Sequence, residues 1–446
     1  MNPSPIFLPC AAGVEPLLAD EVRAILAEVA PRAAESVEPG RAGVHLVGGP
    51  ATAMRLHLES RLAARVLWQI TAGRYRDEED LYDIAHAVRW EDWINARQTL
   101  RVDTTAVRSP LRSLHFASLR IKDALCDVLR EATGERPDVD PRHPHLSLVL
   151  HLHEDHATLY ADLSGEALFK RGWREAQGEA PLKETLAAAM LAAAGWRGRE
   201  QDGPLLDPCC GAGTIAIEAA QIACGMAPGL HRSFAFEKLA PFRDELPAWQ
   251  EMKAAARARQ HAPRVAIYAG DVSFRMTDFA TRNAERAGVT HAIDFKTVDA
   301  LQRNAPAERG VLMLNPPYGE RIDAKGTGSG GRDRNPYQDD GYDDTPRGYR
   351  ADAGAREGFE DGGSPTAFFA ALAAHWKRQY SGWTAWVLSP DAKLPQAMRL
   401  KESRRVPMWN GPIECRLFRF DLVAGSNRSK AEAERAPPPL DDNTDA

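Results

Sequence analysis

The 446-residue chain contains only six cysteines: Cys10, Cys126, Cys209, Cys210, Cys224 and Cys415. No two of them form a C-x-x-C pair, and no Cys/His cluster has ligand spacing. That argues against a structural zinc site and a disulfide framework, and makes a reducing cytoplasm the default expectation, with no metal. No run approaches the ~18 consecutive apolar residues of a membrane span. The opening MNPSPIFLPC lacks a basic segment before an apolar stretch, so no secretion signal is expected. An excess of positive charge is also missing: 56 Lys and Arg stand against 62 Asp and Glu, for a net charge of −6. Taken whole, that balance speaks against a polyanion-binding protein.

The distribution of charge says otherwise. Asp323 to Asp361 holds ten acids and six bases, and Ala424 to Ala446 five acids and three bases, so the remainder is neutral. Within that remainder, Arg97 to Arg130 carries seven bases and three acids. A locally positive face attracts phosphates whatever the net charge. Hydrophobic content of 44% and charged content of 26% suit a globular chain, and the length suggests two or three domains.

Two rhythms divide the chain. Strand candidates at 5–10, 44–47, 99–107, 146–152 and 157–162 alternate with amphipathic helices over 14–30, 54–68 and 114–131. This predicts a small α+β unit ending near residue 165. From Leu182 onward, helices at 182–194, 214–224, 275–287 and 366–380 alternate with strands at 204–207, 265–269, 292–298, 311–314, 384–388 and 415–422. That alternation predicts a doubly wound, mainly parallel α/β sheet. Residues 325–364 are rich in Gly, Asp and Arg, and with the tail 424–446 they read as disordered.

The strongest local signal is Leu205-Leu206-Asp207-Pro208-Cys209-Cys210-Gly211-Ala212-Gly213-Thr214. An apolar strand delivers Asp207 to its carboxyl end, two glycines permit a tight turn, and Thr214 opens an apolar helix. Ligands of open α/β sheets sit at this edge, where a helix N-terminus favours a carboxylate. No Gly-Lys-Ser/Thr follows, which excludes a Walker loop. The pattern looks like the first motif of class I methyltransferases acting on nucleic acids, whose cofactor is S-adenosyl-L-methionine. Asp271, followed by Val272, ends the next strand and can take both hydroxyls of a ribose. Asp299, followed by Ala300, ends the strand after that and can accept from an adenine amine. The expected cofactor set is Asp207, Pro208, Cys209, Gly211, Gly213, Thr214, Asp271, Val272, Asp299, Ala300 and Asn315.

Val311 to Leu314 then runs into Asn315-Pro316-Pro317-Tyr318, the expected catalytic tetrapeptide. An exocyclic base amine is a poor nucleophile because its lone pair is delocalised into the ring. Two acceptors, the Asn315 Oδ1 and the Pro316 carbonyl, can bind its two N–H groups and aim the lone pair. Stiff prolines hold the geometry, and the Tyr318 ring stacks on the base. A base inside a duplex cannot reach such a pocket, so the target must be unpaired or flipped out.

With these residues in view, the chain resembles the THUMP-containing guanine-N2 methyltransferases of bacterial large-subunit ribosomal RNA. The resemblance extends to about Val423. It is carried by Pro9 to Val22, Ser118 to Ala124, Arg136 to Asp140, Asp162 to Glu166, Lys170 to Arg174, Ala180 to Leu186, Ala227 to Arg232 and Asn315 to Arg321. It implies a ferredoxin-like part over 1–50, a THUMP RNA-binding domain over 51–165, a linker and cofactor-covering helix over 166–203, and a seven-stranded Rossmann-like methyltransferase domain over 204–423. It also implies ribosomal RNA as partner and guanine N2 as acceptor; the residues alone leave guanine N2 and adenine N6 open. Arg120, Lys122, Lys170, Arg171 and Arg174 are the candidates for phosphate contacts. The acidic insertion after Arg321 departs from the family pattern, and the second methyltransferase fused in some relatives is not expected. The N-P-P-Y tetrapeptide also occurs in DNA-adenine and protein-glutamine methyltransferases, and transfer RNA is an alternative substrate. A non-catalytic RNA-binding assembly factor is the rival of another class, and it would not need the cofactor acids.

Overall fold

The computed structural model describes residues 2–175, 182–316 and 365–423. Pro317, Tyr318, the 325–364 insertion and the 424–446 tail lie outside them.

The amino-terminal half is built from β1 (Ser4–Pro9), α1 (Glu15–Leu26), α2 (Pro31–Glu35), β2 (Glu38–Gly40), β3 (Gly43–Gly48), α3 (Pro50–Glu59), β4 (Leu67–Arg74), α4 (Glu78–His86), β5 (Leu100–Val107), α5 (Leu114–Thr133), β6 (Leu146–His153) and β7 (His156–Asp162). The strands form a single seven-stranded sheet in the order β2-β3-β1-β4-β7-β6-β5. Only β5 and β6 run parallel, with α5 crossing between them. The apolar stripe of α5, Ile121, Leu125 and Leu129, is wholly buried, and Gly134 in the left-handed region ends the helix.

Two local expectations are corrected here. The helix expected over 54–68 stops at Glu59, and Leu67 and Trp68 open β4 instead. The pairing of Phe7 with Leu67 and Ile6 with Trp68 outweighs helical spacing that continues past Ser60. Helix α4 was not anticipated, although Asp77 caps it by accepting from the Glu79 and Asp80 amides.

The second half comprises α6 (Glu184–Ala194), β8 (Leu205–Asp207), α7 (Thr214–Ala223), α8 (Leu246–Ala258), β9 (Ile267–Asp271), α9 (Phe274–Arg286), β10 (Ile293–Thr297), β11 (Gly310–Leu314), α10 (Pro365–Gln379), β12 (Trp383–Ser389), α11 (Leu394–Met398), β13 (Arg404–Asn410) and β14 (Ile413–Asp421). Its sheet has the order β10-β9-β8-β11-β12-β14-β13. The first five strands are parallel and the β12-β14-β13 edge is antiparallel. Both faces are covered, so central strands are apolar on both sides. Met313 packs with α6 and α7, whereas its neighbours Leu312 and Leu314 pack with Phe369, Trp376 and Tyr380 on the other face. Helices α6 and α7 lie against each other and are buried almost all round, which is why they read as apolar throughout.

Candidate functional site

Strands β8, β9 and β11 end at one edge of the second sheet, because β8 pairs in parallel with both of the others. Leu206 pairs with Leu312, so the loop after Asp207 and the residues after Leu314 leave neighbouring strands side by side, at the ~4.8 Å spacing of a ladder. Asn315 is half-buried and Pro316 buried at this edge.

The glycine loop is held from several directions. The Gly211 amide donates to Asp271 Oδ2 at 3.0 Å, and the Cys210 amide to the Gly270 carbonyl at 2.8 Å. Asn283 of α9, fully buried, donates from Nδ2 to the Ala212 carbonyl at 3.0 Å. Arg174 donates to Thr214 Oγ1 at 2.7 Å and pairs with the buried Glu184 of α6 at 2.8 Å. Gly213 has φ of +88°, and a Cβ there would stand 2.9 Å from the Ala280 Cβ. It is therefore barred to larger residues both by conformation and by the packing of α9.

The acids differ in environment. Asp207 is 1% exposed and accepts the Cys209 amide at 3.2 Å. Burial, with a smaller contribution from the neighbouring Asp271, pushes its carboxyl up to about 8. Asp271 is half-buried and accepts the Ser273 and Gly211 amides, one on each oxygen. Burial raises it too. Asp299 lies two residues beyond the end of β10 and accepts the Leu301 amide at 2.8 Å. Burial, reinforced by the nearby acids, pushes up the Cys209 and Cys210 thiols. Both stay neutral, which makes them poor nucleophiles.

The surroundings fit an adenosine with an amino-acid arm. A Cβ on Gly211 would meet nothing within 4 Å, so the loop borders open space. Val272, 57% exposed beside Asp271, offers apolar surface that a flat ring would cover, and Ala300 is small. Thr214 begins α7, whose free amides and dipole favour a carboxylate. Asp271 retains lone pairs for ribose hydroxyls. Among the described residues, no group of three or more His, Cys, Asp or Glu is arranged to hold a metal ion, and no helix is long and apolar enough to cross a membrane.

Residues 5–67 match the RlmL ferredoxin-like domain, 75–162 the THUMP domain, and 171–329 the RMKL-like methyltransferase domain. The chain pairs a THUMP module with a class I methyltransferase domain. Ribosomal RNA large subunit methyltransferase K/L of Syntrophotalea carbinolica is 35% identical over 446 residues, covering 98% of this chain and 56% of that protein. The chain spans about half the length of the curated relatives it matches. Among solved structures, SMU.472 in complex with SAH superposes with a TM-score of 0.75 at 24% identity, over 96% of this chain and 100% of the other. A predicted N6-adenine-specific DNA methylase from Listeria monocytogenes gives 0.75 at 25% identity, over 94% and 96%.

Of the bases expected to meet RNA, Arg120 and Lys122 of the THUMP module are half-buried and Lys170 of the linker is exposed. Arg120 of α5 pairs with Glu79 at 2.5 Å and lies 4.5 Å from the centre of the Tyr82 ring. Lys122 pairs with Asp123 at 2.7 Å and Lys170 with Glu166 at 3.3 Å. The other two are corrected by the structure. Arg171 is 3% exposed and spends its guanidinium on Glu218 of α7 and on the Leu168 and Arg61 carbonyls. Arg174 is committed to Glu184, Thr214 and the Leu182 carbonyl. Both brace the methyltransferase domain, and a basic run such as Lys170-Arg171-Gly172-Trp173-Arg174 does not reveal which bases turn inward. Asn283, which donates to the Ala212 carbonyl of the glycine loop, and Arg303, which donates to the Ala269 carbonyl of β9, carry no motif; a polar residue inside the apolar face of α9 is the sequence trace of the first.

Proposed function

We propose that the chain methylates the exocyclic N2 of a guanine in large-subunit ribosomal RNA, with S-adenosyl-L-methionine as donor. The observation that carries this reading is the adjacency of the glycine loop after β8 and Asn315-Pro316 after β11 on neighbouring parallel strands. When bound, the cofactor supplies an electrophilic methyl group. Asp271 and Asp299 would hold its ribose and adenine, and the start of α7, with Thr214, its carboxylate. Asn315 Oδ1 and the Pro316 carbonyl would each accept one N–H of the base amine, directing the nitrogen lone pair toward the methyl carbon. The same acceptors stabilise the positive charge that grows on nitrogen, and the proton leaves afterwards to solvent. Pro317 and Tyr318, the rest of the expected tetrapeptide, lie outside the described residues. Docking of the RNA falls to the THUMP module and the linker after it, with Arg120, Lys122 and Lys170 on phosphates.

The curated relatives act on the large ribosomal subunit by name, which favours ribosomal RNA over DNA, transfer RNA and protein. The deciding experiment is nucleoside mass spectrometry of ribosomal RNA from a strain lacking the protein. N2-methylguanosine should fall in large-subunit RNA and return with the wild-type gene but not with Asn315→Ala. Unchanged N2-methylguanosine there rejects this substrate.

A further inference from the structure

Arg303 is 6% exposed and lies beneath the cofactor edge, in the helical turn that Asp299 opens. Its Nη1 donates to the Ala269 carbonyl of β9 at 2.8 Å, two residues before Asp271. Its own amide donates to the Asp299 carbonyl at 3.1 Å. One residue therefore ties the strand end that presents Asp271 to the turn that presents Asp299. The tie is tight: a Cβ on Gly270 would stand 2.6 Å from Arg303 Nη1. The backbone of Arg303 is pinned in turn. Its carbonyl accepts from His375 Nε2 at 2.7 Å and from the Tyr380 hydroxyl at 2.8 Å, both on the α10 side of the sheet.

The charge is as informative as the geometry. Among the described residues no carboxylate lies within ion-pair distance of this buried guanidinium. A buried cation normally has such a partner, since losing its water is costly. Here burial disfavours the charge, and Asp294 of β10 favours it at longer range, while the Tyr268 ring of β9 lies 6.0 Å away. Arg303 in turn draws the Asp207 carboxyl down, against the burial that raises it.

We propose that Arg303 is a positioning residue of the cofactor site, holding Asp271 and Asp299 at a fixed separation through its hydrogen bonds to the Ala269 and Asp299 carbonyls. This deepens the reading above and rests on it. Arg303 need not touch the cofactor. Its removal loosens two acceptors that grip the ligand equally in the ground state and the transition state. Binding should then suffer and the chemical step should not.

The test is calorimetric titration of the full chain with S-adenosyl-L-methionine, together with KM and kcat on large-subunit RNA. Arg303→Met should bind about tenfold or more weakly, with kcat at saturating cofactor within about twofold of wild type. Arg303→Lys, which keeps a donor, should recover most of the affinity. If Arg303→Met does not fold, Gly270→Ala decides, because its methyl group displaces the guanidinium without removing it, and the same loss of affinity is expected. Wild-type affinity in Arg303→Met overturns the proposal. So does equal weakening in the Met and Lys variants, which would mark packing alone, or wild-type affinity in Gly270→Ala where that variant has to decide. If the wild-type chain itself does not bind the cofactor, the functional reading fails and takes this inference with it.

Discussion

At the residue scale, the expected chemistry depends on which side chains are buried and which face the ligand. Asn315→Ala should lower kcat by about a hundredfold or more, the scale of losing an oriented electrostatic acceptor. Asp271→Ala should do the reverse and weaken cofactor binding; unaltered calorimetric affinity would refute its role. Asp207 makes a separate prediction about stability. Its carboxyl is raised to about 8 in the folded chain, against about 3.9 when unfolded. The folded state therefore holds a proton that the unfolded state releases. The stability from this group is full below the unfolded value and is lost as pH rises through about 8. Asp207→Asn cannot titrate, so its thermal midpoint in the absence of cofactor should fall less between about pH 6 and 9 than that of wild type.

At the scale of elements, the site is a property of loop ends. The turn Gly211-Ala212-Gly213 was legible because glycine pairs between an apolar strand and an apolar helix have few other uses. The structure adds why Gly213 is needed: a positive φ and the side of α9 at 2.9 Å. Gly213→Ala should destabilise the chain by about 1–2 kcal/mol in chemical denaturation, and more if α9 cannot shift. Elements whose pattern is set by partners were not legible. Strands β2 and β13 and helices α2, α4, α8 and α11 are not expected from the sequence, and the start of β4 has helical spacing. β13 is the edge strand of its sheet, paired only with β14, and its residues are mostly part-exposed. It therefore carries little of the alternation that marks a half-buried strand.

At the scale of the whole molecule, the THUMP-bearing half and the methyltransferase domain meet through buried charge. Glu218, fully buried on α7, pairs with Arg61 from the first half at 3.2 Å and with Arg171 from the linker at 3.1 Å. Arg61 also donates to the Met226 carbonyl, and Arg171 to the Arg61 carbonyl. Glu218→Ala leaves two buried guanidinium groups without their carboxylate and should cost about 3–5 kcal/mol, measured by denaturant unfolding. Removing Arg171 as well should cost less than the sum of the single changes. His57 lies at the same junction, against Phe234 and Phe236, with its carbonyl 2.2 Å from where a Gly229 Cβ would be. Burial lowers its imidazole to about 3. Its contribution is present above the ordinary histidine value of 6.5 and is lost as pH falls toward about 3. His57→Gln should therefore lose stability less steeply than wild type across that acid range, whatever its starting midpoint.

The amino-acid sequence by itself determined the doubly wound half, the glycine turn, the strand-end acids and the Asn-Pro pair. These depend on local rules: periodicity, glycine conformation, and the stop that proline puts on a strand. Tertiary structure alone decided that Arg171 and Arg174 turn inward, that Asn283 and Arg303 grip the loops, and that Leu67 and Trp68 join a sheet. Whether a charged side chain meets water or a buried carboxylate depends on residues far away in the chain. Glu218 lies 157 positions from Arg61, and no local pattern encodes such a pair.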